Sequence, residues 1–132
     1  MVTTYFLNCI MGNVFKTKTS PALPTSFYMG LSTSTPAVGG TGVTEPSGKG
    51  YARVKVSSLT APANGVITNT ADVEFNESTG DWGTITHFVI YDAATGGNLL
   101  LYEALKTPRV VQSETQARFK ANTLSITLKN AS

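Results

Sequence analysis

A single cysteine and a single histidine in 132 residues remove several kinds of chemistry at the outset. With Cys9 alone, neither an intrachain disulfide nor a cysteine-based zinc site can form. With His87 alone, a histidine-rich metal centre is excluded as well. Charge is also scarce: Asp, Glu, Lys and Arg make up 14% of the chain, against roughly 25% in ordinary soluble domains. The net charge of +2 is close to neutral, so neither nucleic acid nor an anionic membrane is expected as a partner. No apolar run reaches the roughly 18–20 residues of a membrane span. The stretch from Phe6 to Phe15 is interrupted by Asn8 and Asn13, and Lys16 and Lys18 follow it rather than precede it, the reverse of a secretory signal. Synthesis and folding in the cytoplasm of the cell that makes the chain are expected.

What is present is apolar and rich in turn residues. The chain is 41% hydrophobic, too much for disorder, and its length suits one domain over 1–132. Residues 3–16 carry the only helical pattern. Leu7, Ile10, Met11, Val14 and Phe15 follow the spacing of one helix face. Thr3 or Thr4 can cap the start. Gly12 weakens the helix, so this face is expected to lie on something.

Beyond Pro21 and Pro24 the pattern becomes that of strands. Phe27 to Leu31 reads as one, and residues 32–50 as a long surface loop of Ser, Thr, Gly and Pro. Tyr51 to Val56 alternates, with Arg53 and Lys55 opposite Ala52, Val54 and Val56. Asn64-Gly65 signals a tight turn. Val73 and Phe75 oppose Asp72 and Glu74. Arg109 to Val111 reads as a short strand, and Ala117 to Ala121 and Leu124 to Leu128 alternate cleanly. About eight short strands separated by turns predict an all-β, antiparallel, jelly-roll-like β-sandwich with one short N-terminal helix.

The segment from Trp82 to Tyr102 stands apart. It reads as two strands joined by Thr95-Gly96-Gly97-Asn98, and both are too apolar for a strand with one wet face. Ile85, Val89 and Tyr91 fall on one parity, Phe88 and Ile90 on the other, and Leu99, Leu100 and Leu101 run unbroken. Cover is therefore expected on both faces. The helix is one candidate cover and a neighbouring subunit another. Leu7, Ile10, Met11, Val14, Phe15, Ile85, Val89, Leu99 and Leu101 are the candidate interface residues.

Catalysis finds little support. A nucleophilic triad has only His87 as base, no G-x-S-x-G elbow exists, and His87 lies within an apolar strand. The carboxylates form no evident glycosidase pair, and no calcium-loop or phosphate-loop spacing occurs. No catalytic, cofactor-binding or metal-ligating residue is assigned. Arg53, Lys55, Arg118 and Lys120 would form a basic patch if their strands were neighbours. Trp82 and Tyr51 are candidate stacking residues for a sugar ring, with core packing as the alternative use of such aromatics.

The runs Gly50-Tyr51-Ala52-Arg53, Trp82-Gly83-Thr84-Ile85-Thr86-His87-Phe88 and Asp92-Ala93-Ala94-Thr95-Gly96-Gly97-Asn98-Leu99-Leu100, with Asn64-Gly65 and Asn69 between them, are similar to a family of small tailed-bacteriophage structural proteins often labelled tail fibre proteins. The N-terminal helix, the Pro-containing link and the F-Y-M-G-L strand fit the same pattern, and the resemblance covers most of the chain. It implies a non-enzymatic virion component with no catalytic residues to transfer. The expected partners are other virion proteins, capsid or tail subunits. Homo-oligomerisation, as a trimer or another cyclic assembly, would bury the extra apolar face. Capsid decoration and attachment to the tail are both open at this point, and a receptor- or carbohydrate-binding module is the alternative reading.

Overall fold

In the computed structural model, residues 1–18 and 21–127 are described. Among the described residues, one helix, α1 (Thr4–Val14), precedes eight strands: β1 (Tyr28–Ser32), β2 (Val54–Lys55), β3 (Val66–Thr68), β4 (Val73–Glu77), β5 (Gly83–Tyr91), β6 (Leu99–Val111), β7 (Gln116–Phe119) and β8 (Ser125–Thr127). All pairings are antiparallel. A four-stranded sheet has the order β2-β1-β5-β6, and β3–β8 and β4–β7 form two-stranded ribbons. The expected strand at Arg109 to Val111 is the far end of the long β6, not a separate element. Leu128, expected to close the last strand, lies outside the described residues.

The core is shared between the four-stranded sheet and the ribbons. Met29, Leu31, Phe88, Ile90 and Leu100 from the sheet pack with Val73, Phe75, Leu124, Phe119 and Ile126 from the ribbons or beside them. Each fully buried side chain of this kind stabilises the fold by about 1.5–3 kcal/mol relative to its exposure. Asn69 is buried among them and fully used. Its Nδ2 donates to Ala71 O and Lys120 O, and its Oδ1 accepts the Leu124 N–H, which ties β3 to the start of β8. The Asn64-Gly65 turn forms as its residues dictate. Both have positive φ, 54° and 75°, and Ala63 and Val66 exchange backbone hydrogen bonds across it.

The β5–β6 hairpin does not keep simple alternation. Ile85 pairs with Arg109 but His87 with Ala104, so β6 carries extra residues there, and a second irregularity falls between Ile90 and Tyr91. Bulges of this kind re-aim the side chains beyond them. Ile85 accordingly joins Phe88, Ile90, Leu100 and Leu101 in the main core. Val89, Tyr91, Leu99 and Tyr102 form a second, smaller cluster with Val43. The grouping of Ile85 with Val89 expected from parity is therefore corrected by the bulge. The hairpin is covered on both sides, and the second cover is the long loop.

Candidate interaction surface

That loop is held down as a strap. Thr33 N–H donates to Thr44 O and Ala37 N–H to Thr41 O, so its two limbs run side by side. Val43 rests on Val89, Tyr91, Leu99 and Tyr102. The returning limb is fixed by one ionic cluster. Arg53 Nε and Nη2 donate to the two oxygens of Glu45 at 2.9 and 2.8 Å, and Arg53 Nη1 donates to Ala93 O and Gly96 O in the β5–β6 turn. The guanidinium lies 3.6 Å from the Tyr91 ring centroid, and the Tyr51 hydroxyl donates to Glu45 at 2.5 Å while accepting the Leu31 N–H.

This arrangement sets the charges. Burial alone would raise the Glu45 carboxyl, but the hydrogen bonds from Arg53 and Tyr51 outweigh it and hold the group below the usual carboxylate range. Burial, then the bond to Glu45, pushes the Tyr51 hydroxyl up. The site requires a glycine beneath it. A β carbon on Gly30 would stand 2.6 Å from Glu45 Oε1 and 2.8 Å from the Tyr51 hydroxyl. Nothing in the local pattern of F-Y-M-G-L announces that need, because the groups involved are distant in sequence.

The helix is docked through the face opposite the one its periodicity suggested. Thr3 clamps its start. The Thr3 N–H donates to Leu100 O, its hydroxyl lies 2.7 Å from Leu99 O, and its oxygen accepts the Phe6 N–H as an N-cap. Tyr5 and Phe6 pack against the main core. Cys9 is buried with its Sγ 3.3 Å from Ala22 O, and Asn13 donates to Pro21 O. These anchors fix the rotation of the helix. The face expected to be covered therefore points outward: Leu7 is 45% exposed, Met11 55%, Val14 58% and Phe15 65%. Ile10 is half-buried at its flank.

Of the candidate interface residues, the structure thus brings Leu7, Met11, Val14 and Phe15 together at the surface. Ile85, Val89, Leu99 and Leu101 are buried within the chain, because strap and core cover the two faces of the hairpin. The two candidate sugar-stacking residues are also internal. Trp82 is 5% exposed and donates its indole N–H to Lys49 O. Tyr51 makes an edge contact with Trp82, ring centroids 5.3 Å apart, and stacks near Phe75. The basic patch is not assembled. Arg53 is taken by Glu45, and Arg118 lies 3.7 Å from both Asp72 and Glu74.

His87 is half-buried, with Nδ1 2.8 Å from Thr86 Oγ1 and its ring edge-on to Tyr102. Burial lowers its pKa, with Glu103 opposing. A cavity of ≈ 10 Å³ between β3, β8 and the main sheet is lined by apolar side chains and Asn69, space for about one water. No helix among the described residues is long and apolar enough to cross a membrane.

The class is set by this architecture: an antiparallel all-β chain carrying one short helix whose apolar strip faces outward. Compared with known protein families, residues 1–127 match Gp80, described as podophage GP4 fiber I protein gp80. The chain belongs to this family of phage fibre proteins, and the resemblance drawn from its hairpin and turn motifs is borne out. Membership makes it a structural component of a virion. No curated protein matches the chain.

Proposed function

We propose that this chain is a non-enzymatic accessory module of a tailed-phage virion, one compact unit over 1–132, that attaches to capsid or tail subunits through protein–protein contacts. The observation that carries the reading is the strip of Leu7, Met11, Val14 and Phe15, apolar and exposed on a helix that is otherwise firmly anchored. A soluble protein rarely leaves such a strip bare, because each side chain forgoes the stabilisation of burial, and an exposed apolar patch marks a contact surface. The fibre family supports association with other virion proteins. Of the residues that suggested the receptor- or carbohydrate-binding alternative, Trp82 and Tyr51 are packed in the core.

The test is rebinding. Purified chain is mixed with virions that lack it, and particle-bound protein is measured after sedimentation. Wild-type chain is expected to bind and Leu7→Glu to bind poorly while keeping its circular dichroism spectrum. Wild-type chain that never associates with the particles would end the proposal.

A further inference from the structure

We propose that the exposed strip of α1 seats a second copy of this chain, the two helices crossing antiparallel about a two-fold axis near Met11. The inference deepens the assembly reading above and rests on it. Three observations point to this occupant.

The first is spacing. Leu7, Met11 and Val14 stand at i, i+4 and i+7, with Phe15 beside them, the ridge that one helix offers to another. The strip is also balanced about Met11, four residues from Leu7 and four from Phe15. An antiparallel partner places Met11 against Met11 of the second copy and Leu7 against its Phe15. Isologous contacts require this kind of self-complementarity, and a flexible thioether suits the crowded axis.

The second is the absence of charge on the strip. The segment from Val2 to Phe15 contains no Asp, Glu, Lys, Arg or His. Burying this surface strands no charge, and a partner must be equally uncharged there. Another copy meets that condition by construction.

The third is the difference between the two ends. Lys16 and Lys18 are exposed just beyond the C-terminus of α1. At the other end the Met1 ammonium is paired with Glu103, so that end carries no excess of basic charge. Parallel pairing would bring four lysines together. Antiparallel pairing separates the two lysine pairs by the length of the helix, about 16 Å for its 11 residues, and sets each beside the end of the other copy that lacks them. A single helix crossing is smaller than a standard permanent interface, so association should vary with concentration.

The experiment uses the full chain. Sedimentation velocity over a concentration series should show wild-type mass rising towards twice that of the monomer. Met11→Glu should remain monomeric throughout, and Val110→Glu, at an exposed position on β6, should behave as wild type. Circular dichroism checks that each variant folds. In parallel, Met11→Cys treated with diamide should form a covalent dimer, two thiols giving two electrons and two protons to the diamide as the S–S bond forms. Wild type, whose only thiol is buried Cys9, should not. A wild-type chain that stays monomeric yet rebinds virions would overturn this inference and leave the assembly reading standing, with the strip seating another virion protein. A three-copy mass, or a dimer that persists in Met11→Glu, would overturn it too. A Met11-dependent dimer that does not rebind would instead count against the assembly reading alone.

Discussion

Removing the Glu45 carboxylate tests whether one ionic cluster holds the strap against the sheet. In Glu45→Ala, Arg53 loses both bonds to the carboxylate and the Tyr51 hydroxyl loses its acceptor. The Arg53 side chain is only 7% exposed, so its charge is left largely unneutralised out of water. Truncating one partner of a buried pair costs about 3–5 kcal/mol. Glu45 itself retains some solvent contact, 20%, which places the loss near the lower end, about 3 kcal/mol. For a chain of this size that is a fall in Tm of about 10 °C.

The loss should also be local. Hydrogen exchange should accelerate at Thr33, Ala37 and Thr44, whose amides are bonded within the strap, and much less along β5. The pH dependence has a definite sign. The folded Glu45 carboxyl lies below its unfolded value of 4.5, so its stabilisation is complete above that value and disappears as pH falls through the lower, folded value. Wild type should lose this increment on acidification and Glu45→Ala should not. The reasoning is refuted if the variant unfolds within about 0.5 kcal/mol of wild type, the range of a neutral surface substitution, or if exchange quickens evenly along the whole chain.

Three further outcomes are expected. Gly30→Ala places a methyl group 2.6 Å from Glu45 Oε1 and 3.0 Å from Val89 Cγ2, and overpacking of this kind costs about 1–3 kcal/mol; urea denaturation measures it, with strap exchange quickened as in Glu45→Ala. Thr3→Ala removes the N-cap and the hydroxyl contact to β6, costing about 1–2 kcal/mol, with helix amides fraying first in exchange measurements. The His87 imidazole should titrate below 6.5 by NMR. Because its folded value is depressed, the unfolded chain takes up the proton more readily, and stability falls as pH drops below 6.5.

Local rules account for much of the fold. The Asn64-Gly65 turn, the alternation of Val73 and Phe75 with Asp72 and Glu74, the Thr3 cap and the break at Pro21 and Pro24 each depend on neighbours a few residues away, and each is legible in the chain. The misreadings occur where distant groups decide. Ile85 changes face where the β5–β6 register shifts between Ile85 and His87, an irregularity that simple period-2 alternation along β5 does not anticipate. Arg53 looks like part of a solvated strand face, yet it is drawn inward because Glu45, Ala93 and Gly96 together meet its donors. Trp82 and Tyr51 could serve either a core or a sugar ring by composition, and the nearby Phe75 and Lys49 carbonyl settle the matter.

The helix divides the two kinds of information most clearly. Its existence, its start and its apolar strip were written in residues 3–15, because capping and the 3.6-residue period act over a single turn. Which side of it faces water was decided by contacts far apart in sequence: Thr3 on the carbonyls of Leu99 and Leu100, Cys9 and Asn13 on those of Pro21 and Ala22, and Tyr5 and Phe6 in the core. An amphipathic pattern identifies a surface that avoids water and does not say what will cover it. By itself the sequence determined an all-β chain, one helix and the fibre family. Only the tertiary structure decided that the strap, rather than the helix strip, closes the second face of the hairpin, and so left the strip free for a partner.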